Sequence, residues 1–313
     1  MFFIPIEELP QKYKDAIQKM LVKYEAGSCQ LSARLKKTVE GAFAVFINEI
    51  STSDLYGVLS FKGTFLFCLP FTKGEQKDSA LQQDFSESFV QFYKTVIFKN
   101  KKLNDSLECV CGVENASRLV LSCLEGCGLV PEQVNHYHLM ALDTKVFVQN
   151  KNEYSKMPEG FWVLKCKSGI DRGYQEQLEL MQAAYEKEEV LPDNQEFDSD
   201  SCRLRLKNAQ RTQVVLSLVN SQGLLVSKAA TNAIGYKFIQ IGGVFTPVQY
   251  RNNHYSQVLV FNLCQKILRT RHLPILFVKK ENIPAMNLYK KLGFKVVGGY
   301  TILYFKTDNF LSI

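Results

Sequence analysis

The chain has 313 residues, of which 46% are apolar and 22% charged, so it carries enough apolar material for two globular cores. Its net charge of +7 suits an anionic ligand, but the charge is dispersed, which argues against a nucleic-acid-binding protein. The N-terminal residues lack the pattern of a signal peptide, and Lys62-Gly63 interrupts the longest apolar stretch, so neither export nor a membrane span is expected. The nine cysteines follow no disulfide framework, and we expect a cytoplasmic protein with reduced thiols.

The first half of the chain predicts an α+β domain with its own core, which we place at residues 1–143. The periodicity of apolar residues predicts three helices and five strands. The predicted helices cover residues 6–39, 79–97 and 116–123, and the predicted strands cover residues 41–47, 55–61, 64–70, 107–112 and 137–142. The strands on either side of Lys62-Gly63 are expected to form a hairpin.

A polar segment, residues 144–158, is interpreted as a linker, which leaves residues 159–313 as the second domain. The start of this domain predicts a strand, two helices and a hairpin. The expected ranges are a strand at 161–166, a helix at 171–189, a break at 191–196, a helix from Ser199 or Asp200 to 210, strands at 213–219 and 224–230, and a turn at 231–235.

The most informative stretch follows that turn. Residues 236–245 are rich in β-branched and aromatic side chains and predict a strand, residues 249–253 form a polar turn, and residues 256–268 predict a long apolar helix. A strand, turn and helix in this order direct unpaired backbone N–H groups and the positive end of a helix dipole at one point, where an anion such as a phosphate binds.

The rest of the chain predicts a strand, a helix and a last strand. The strand covers residues 273–278, and the helix covers residues 281–293, with Pro284 in its first turn and Gly293 at its C-terminal cap. The last strand, residues 294–305, is expected to bend at Gly298-Gly299.

Two segments resemble the signatures of the GNAT acetyltransferase superfamily. Gly243-Val-Phe-Thr-Pro-Val-Gln-Tyr-Arg251 is similar to the strand and loop that receive the pyrophosphate of acetyl-CoA, and Asn282-Ile-Pro-Ala-Met-Asn-Leu-Tyr-Lys-Lys-Leu-Gly-Phe294 is similar to the second signature. The resemblance covers residues 235–305 and extends in element order back to residue 160. It implies an α+β protein of two domains whose C-terminal domain is a GNAT fold, a mixed and mostly antiparallel sheet flanked by helices. The first half loosely resembles a degenerate GNAT-like repeat.

One position departs from the superfamily pattern. The family loop runs Arg/Gln-x-x-Gly-x-Gly/Ala, whereas this chain has Arg251-Asn-Asn-His254-Tyr-Ser256, so that His254 stands where glycine is expected. Glycine serves there because the backbone must approach the phosphate closely. Two alternatives follow: the loop has lost its ligand, or it holds the phosphates slightly differently.

The resemblance implies a set of cofactor-binding residues and one catalytic residue. Tyr289 would protonate the departing CoA thiolate, and the Val244 N–H would polarise the thioester carbonyl. The competing interpretations are a solvated turn, a tyrosine packed in the core, and Asn282 acting only as a helix cap. The cofactor-binding residues implied are Val244, Phe245, Arg251, Asn252, Asn253, His254, Tyr255, Ser256, Asn282 and Tyr289.

An amine acceptor must lose a proton before it attacks a thioester, but no spacing marks a general base. Glu188 and Glu189 precede the predicted break, and Gln240 and Tyr304 lie on strands near the expected cleft, so these four are the candidate substrate residues. A solvated helix end is the competing interpretation of the glutamate pair. No metal site is expected, because the spacing of Cys109, Cys111, Cys123, Cys127, His136 and His138 fits no zinc pattern.

The sequence therefore predicts an acetyl-CoA-dependent N-acyltransferase that moves an acetyl group directly to a primary amine. The acceptor is a small molecule or a protein, and the first domain would wall the acceptor side or set substrate choice. The alternative is a non-catalytic CoA-binding or sensing protein that keeps the fold. Neither a nucleic acid nor a membrane is expected as a partner, and an oligomer is compatible with the sequence.

Overall fold

The structure, a computed structural model, describes residues 1–70, 79–104, 109–191 and 195–305, and its chain divides into two compact units. The first unit is Met1–Leu139 together with the chain from Val297 onward, and the second unit is Met140–Val296. This division differs from the expected boundary between residues 143 and 159. It also assigns the last strand to the first unit, where a second domain extending to residue 313 was expected; residues 306–313 lie outside the described residues.

The structure also corrects the interpretation of residues 144–158 as a linker. It contains two short helices, α5 (Thr144–Gln149) and α6 (Lys151–Tyr154), and it belongs to the second unit. The side chains of Phe147 and Tyr154 are buried in the core of that unit. The polar composition of the segment therefore gave no indication that two of its aromatic side chains are buried and hold it in place.

The first unit is an α+β fold with one parallel strand pair. Its strands lie in the order β1-β2-β3-β4-β5-β12, and the pairs are antiparallel except β4 with β5. The elements are β1 (Phe2–Pro5), α1 (Gln11–Leu35), β2 (Ala42–Phe46), β3 (Leu55–Lys62), β4 (Thr64–Cys68), α2 (Ser79–Phe92), α3 (Lys101–Asn104), β5 (Cys109–Val113), α4 (Glu114–Glu125), β6 (Gln133–Leu142), which crosses into the second unit, and the larger part of β12 (Phe294–Tyr304).

Two short elements of this unit were not predicted from the sequence, and one long predicted helix is divided in the structure. β1 and α3 have only four residues each, too few for a periodic pattern to show. The predicted helix at residues 6–39 is a 3₁₀ turn at Ile6–Glu8 followed by α1, which has non-helical dihedral angles at Ser28. Residues 107 and 108 of the predicted strand lie outside the described residues.

Aromatic side chains form the core of the first unit. Phe61 and Phe65 stack with ring centroids 4.1 Å apart, and the ring of Phe89 lies 6.0 Å from that of Phe65. All three side chains are fully buried. The core therefore joins the β3–β4 hairpin to α2, and such stacked rings contribute packing energy beyond the area that they bury.

The second unit follows the predicted order closely. Its strands lie in the order β11-β10-β9-β8-β7, and the pairs are antiparallel except β10 with β11. Its further elements are β7 (Trp162–Lys165), α7 (Arg172–Tyr185), α8 (Ser199–Thr212), β8 (Val215–Val219), β9 (Leu225–Ile234), β10 (Phe238–Phe245), α9 (Tyr255–Arg269), β11 (Leu273–Lys279) and α10 (Ile283–Lys291).

Three details of this unit differ from expectation. The turn predicted at residues 231–235 is wrong, because β9 continues to Ile234 and pairs there with Ile239 of β10. α8 is capped by Asp198 rather than by Ser199 or Asp200, since the Asp198 carboxylate accepts the backbone N–H groups of the first turn. α7 ends at Tyr185 and is followed by a π-helical turn, Glu186–Val190. Residues 192–194 of the predicted break lie outside the described residues.

Both units repeat one plan. Three antiparallel strands lead through a helix to a strand that pairs in parallel with the third, and another helix follows. In the first unit these elements are β2, β3, β4, α2, β5 and α4; in the second they are β8, β9, β10, α9, β11 and α10. The predicted α+β class is therefore confirmed, with a mixed and mostly antiparallel sheet in the C-terminal part. None of the helices in the described ranges is both long and apolar enough to cross a membrane.

Candidate active site

A β-bulge interrupts β10 close to its C-terminal end. The pairing of β10 with β9 passes from Gly242 opposite Ala230 to Phe245 opposite Lys228, so two residues of β10, Gly243 and Val244, face one residue of β9. Gly243 has a φ of +60°, which glycine adopts without strain and which turns the peptide groups that follow it. The sequence Gly-Gly thus produces a local change of direction in the strand that leads to the cleft.

The parallel pairing of β10 with β11 ends before either strand does. Parallel pairs join these two strands from Phe238 with Leu273 to Ile241 with Leu276. Within the described residues the pairing ends there, although β10 runs on to Phe245 and β11 to Lys279. The last residues of the two strands are therefore not joined by this parallel ladder.

The loop between β10 and α9 contains two residues in the left-handed region. Asn252 has a φ of +65° and His254, directly before α9, has a φ of +59°. Asparagine and histidine are among the non-glycine residues that tolerate this region best. The loop therefore keeps a backbone conformation suited to glycine without containing one, which is how His254 fits where the resembled pattern has glycine.

The first turn of α9 leaves its backbone N–H groups open. The first helical bond in this turn runs from the Val258 N–H to the His254 carbonyl, so the N–H groups of Tyr255, Ser256 and Gln257 precede the helical ladder. In the described part of the chain no side chain caps α9, whereas Asp198 caps α8 and Asn282 caps α10. The start of α9 therefore combines available donors with the positive end of a 15-residue helix.

These features line a single cleft of about 480 Å³ that lies entirely within the second unit. All ten predicted cofactor-binding residues, from Val244 through the loop to Asn282 and Tyr289, line this cleft. Its side chains include the basic residues Arg251 and Lys291 and one carboxylate, Glu189. Eight further residues that line it were not predicted as site residues: Thr246, Tyr250, Gln257, Pro284, Ala285, Asn287, Leu288 and Lys291.

Tyr289 lies on α10 at the inner wall of the cleft. Its side chain is 7% exposed, and its ring meets that of Phe294 edge-on at 5.9 Å. Burial, with smaller contributions from Tyr185 and Glu189, raises the pKa of the Tyr289 phenol well above its ordinary value. The phenol is therefore neutral over the physiological range and can act as a hydrogen-bond donor.

Arg251 and Glu188, predicted respectively for phosphate and substrate, contact each other. The Arg251 Nη2 atom donates to the Glu188 Oε2 atom at 2.6 Å, and its Nε atom donates to the Thr246 carbonyl at 3.0 Å. The π-helical turn after α7 places Glu188 beside the loop and the neighbouring Glu189 at the cleft. π-Helical turns of this kind are frequent at functional sites.

The structure does not bring the other two candidate substrate residues to the cleft. Gln240 is 4% exposed on β10, and its Oε1 atom has no hydrogen-bond partner among the described residues. Tyr304 belongs to the first unit, where it lies opposite Cys109 across the β12–β5 pair. Both lie on strands, as predicted, but neither lines the cleft.

A buried lysine that sequence reasoning missed lies directly behind the bulge. Lys228 on β9 is 3% exposed; its Nζ atom donates to the Gly243 carbonyl at 3.0 Å and lies 4.0 Å from the centroid of the Tyr185 ring. Burial lowers the pKa of Lys228 to about 7, against the opposing influence of Glu186 and Cys202. The only signal in the sequence was a lysine inside an otherwise apolar and small-residue strand, Leu225–Ile234.

The cysteines show no arrangement suited to a metal ion. The Sγ atoms of Cys109 and Cys111 lie 3.8 Å apart on one face of β5, and Cys109 donates to the Thr64 hydroxyl. Among the residues that the structure describes, no three histidine, cysteine or acidic side chains form a group that could hold a metal.

Replacing His254 with glycine should raise the free energy of unfolding by about 1 kcal/mol, because glycine removes the cost of a left-handed Cβ. We also expect acetyl-CoA to bind at least as well. Chemical denaturation and titration calorimetry measure both quantities. His254→Ala is the matched control, since it removes the imidazole but retains the strain. Weaker binding in both variants would show instead that the imidazole contributes directly to the site.

Lys228 should make stability depend on pH. Its folded pKa lies below its ordinary value of 10.5, so the folded chain binds fewer protons than the unfolded chain from about pH 7 to that value. The free energy of unfolding should therefore rise with pH in this window. Because each pKa unit is worth about 1.4 kcal/mol, the rise amounts to a few kcal/mol.

Urea denaturation of wild type and Lys228→Met across this window tests the expectation. The contribution of Lys228 is the difference in unfolding free energy between the two proteins at each pH, because the titration of other groups cancels in that difference. Lys207→Met, which changes an exposed lysine of α8, is the control and should follow wild type. Identical pH slopes in wild type and Lys228→Met would contradict the prediction.

Comparison with known proteins agrees with this architecture. Residues 219–302 match the family model described as FR47-like protein. Among solved structures the chain is similar to a tandem GNAT protein from the clavulanic acid biosynthesis pathway, solved without AcCoA, at 10% identity and a TM-score of 0.57, with 98% of each chain covered. None of the curated proteins matches the sequence.

Two further solved structures are similar over most of their length. One is a Drosophila protein, with 11% identity, a TM-score of 0.62 and coverage of 94% of this chain and 96% of the other. The second is a GCN5-related N-acetyltransferase from Kribbella flavida, with 12% identity, a TM-score of 0.53 and coverage of 89% and 95%. At such identities the likeness concerns the fold.

The fold is therefore that of a tandem GNAT protein, and the resemblance stated from the two sequence signatures is confirmed. The FR47-like match begins at the end of β8 and includes β10, α9, β11 and α10, the elements that build the cleft.

Proposed function

We propose that the protein is an acetyl-CoA-dependent N-acyltransferase that moves an acetyl group directly to a primary amine. The observation that carries the proposal is the uncapped start of α9, which opens into the same cleft as the bulge of β10 and Tyr289. This arrangement provides a place for a diphosphate, a cleft for an extended chain, and a proton donor beside the point where a thioester would lie.

The loop and α9 would hold the pyrophosphate. The open N–H groups of Tyr255, Ser256 and Gln257 are suitable donors to phosphate oxygens, since they are fixed by the helix and carry its dipole. Lys291 adds a positive charge at the cleft. Arg251 shares its charge with Glu188, so its role would be to shape the loop as much as to attract the phosphates.

The strand ends beyond Ile241 and Leu276 would receive the pantetheine arm, and the thioester would lie beside the bulge. The Val244 N–H would donate to the thioester carbonyl and stabilise the negative charge that develops on its oxygen. Tyr289 would donate its phenolic proton to the departing thiolate. Positioning of the two substrates would supply most of the remaining rate enhancement.

Glu189 is the candidate that the cleft favours for the acceptor side. Among the described residues it is the one carboxylate that lines the cleft, and it is partly buried at the π-helical turn. A carboxylate there would attract an ammonium group and order a water able to accept its proton. The acceptor would be a small molecule or a protein.

A non-catalytic CoA-binding or sensing protein is the second candidate function. His254 favours it, because the side chain occupies a position where the resembled loop carries none. The nine cysteines follow no disulfide framework in the sequence, which supports a cytoplasmic location for either function, since that compartment keeps thiols reduced.

Titration calorimetry with acetyl-CoA, followed by a thiol-release assay over a panel of primary amines, separates these functions. We expect saturable binding and amine-dependent release of CoA. Binding without release on any amine would favour the sensing protein, and the absence of binding would refute both functions. CoA titrated alone is the control that separates the contribution of the acetyl group from that of the nucleotide.

A further inference from the structure

The hydrogen bond from Lys228 acts on one particular peptide group. Its acceptor is the Gly243 carbonyl oxygen, at 3.0 Å. That carbonyl and the Val244 N–H belong to the same planar, conjugated amide. The donor that would face the thioester is therefore one end of a peptide unit whose other end accepts a hydrogen bond from a buried amine.

Such a contact polarises the amide. A donor at the carbonyl oxygen draws electron density through the conjugated unit and makes the N–H a stronger hydrogen-bond donor. The effect is greater when the donor carries a charge, and greater again where the local dielectric constant is low. Lys228 meets the second condition because its side chain is 3% exposed.

The surroundings of Lys228 fix it in this geometry. A Cβ atom built at Gly243 would lie 3.3 Å from the Nζ atom, so the glycine lets the amine approach the bulge closely. The Tyr185 ring of α7 covers the amine on another side. Glu186, in the π-helical turn, is the nearby carboxylate, and it accepts hydrogen bonds from Arg205 of α8 and from Gln182. Cys202 of α8 is the remaining titratable neighbour.

We propose that Lys228 is a positioning residue for acyl transfer: it holds the bulge at Gly243 and polarises the Val244 amide that stabilises the thioester oxygen. The inference rests on the proposed function, because it requires an acyl-CoA whose carbonyl meets that amide. No bond is formed or broken at Lys228. Its contribution is to strengthen a hydrogen bond that gains importance as negative charge develops on the carbonyl oxygen.

The charge on Lys228 then sets the strength of the effect. A protonated amine polarises the Gly243 carbonyl more than a neutral amine does, although both can donate. The titratable groups next to it from α7, the π-helical turn and α8 are Tyr185, Glu186 and Cys202, and Arg205 of α8 pairs with Glu186. Because Arg205 already neutralises Glu186, Lys228 is the group we expect to titrate near neutral pH.

Infrared difference spectroscopy of bound acetyl-CoA, carbon-13-labelled at the thioester carbonyl, tests the proposal without knowledge of the acceptor. In wild type we expect the carbonyl stretch to lie at lower wavenumber than in free acetyl-CoA, and to move back toward the free value as the pH is raised through the pKa of Lys228. In Lys228→Met, where the Val244 N–H remains, the stretch should lie between the wild-type value and the free value and should not change with pH. Lys207→Met is the control and should match wild type.

The outcomes separate this inference from the function on which it rests. If wild type does not bind acetyl-CoA, both are refuted. If wild type and Lys228→Met bind acetyl-CoA with the same carbonyl stretch, only the role of Lys228 is refuted. If Lys228→Met fails to fold or to bind, the wild-type titration decides, since a stretch that does not change with pH refutes the proposal.

Kinetics with any amine that supports CoA release provide a second measurement. Lys228→Met should lower kcat by about tenfold with little change in KM, a smaller effect than the 10²–10³ that follows removal of a direct oxyanion donor. A purely structural role would change KM and stability but not the carbonyl stretch of the bound thioester. An unchanged kcat would overturn the catalytic part of the proposal.

Discussion

Replacing Tyr289 with phenylalanine should lower kcat for acetyl transfer by about 100-fold while leaving acetyl-CoA affinity nearly unchanged. Phenylalanine keeps the edge-on contact with Phe294 and the packing of α10, so the change removes little except the hydroxyl group. Because burial keeps the phenol protonated, the wild-type side chain can donate a hydrogen bond to the thiolate as it leaves.

Steady-state kinetics and calorimetry on the same preparations measure this effect. Tyr154→Phe is a matched control, because Tyr154 is also buried in the core of the second unit but does not line the cleft. It should retain wild-type kcat. If Tyr289→Phe does so as well, Tyr289 is a packed core residue and the thiolate leaves without its help.

Placing a carboxylate at the start of α9 should abolish acetyl-CoA binding. In Ser256→Glu the new side chain lies at the second residue of the helix, where it would occupy and repel the site of the pyrophosphate. We expect affinity to fall by about 100-fold or more, which corresponds to roughly 3 kcal/mol of binding free energy. The same carboxylate should stabilise the fold by about 0.5 kcal/mol, since it complements the helix dipole.

The combination of lower acetyl-CoA affinity and higher stability makes the Ser256→Glu experiment specific. A variant that unfolds also loses binding, but it does not gain stability at the same time. Ser256→Gln is the matched control, because it has nearly the size of glutamate without the charge and should bind much more tightly than Ser256→Glu. Equal affinity in the two variants would place the diphosphate away from the start of α9.

The cleft could be predicted from the sequence because its residues lie in two continuous segments. Val244 to Ser256 and Asn282 to Tyr289 each contain a strand end or loop followed by the first turns of a helix, and local propensity fixes both. The C-terminal cap at Gly293, with a φ of +96°, follows from the same kind of local rule. Local rules thus describe each segment, whereas the resemblance to the two GNAT signatures placed both segments at one site, and Glu189 reaches the cleft from a third part of the chain.

Features that depend on long-range pairing could not be predicted. Lys228 reaches Gly243 only because a bulge of β10 lies opposite it. The local residue pattern of β9 does not predict this hydrogen bond. Gln240 and Tyr304 were expected at one cleft, but strand order places Tyr304 in the other unit. The anchoring of α5 by Phe147 likewise depends on a core that its polar neighbours conceal.

The placement of β12 has a consequence for biosynthesis. Residues Tyr300–Tyr304 pair with Cys109–Val113, so the first unit takes a strand that is translated after the whole of the second unit. While the ribosome makes the second unit, β5 keeps an open edge, which is the kind of surface that pairs with foreign strands and draws chaperones. Nonsense mutations or proteolysis that remove only β12 should therefore destabilise the first unit before the second.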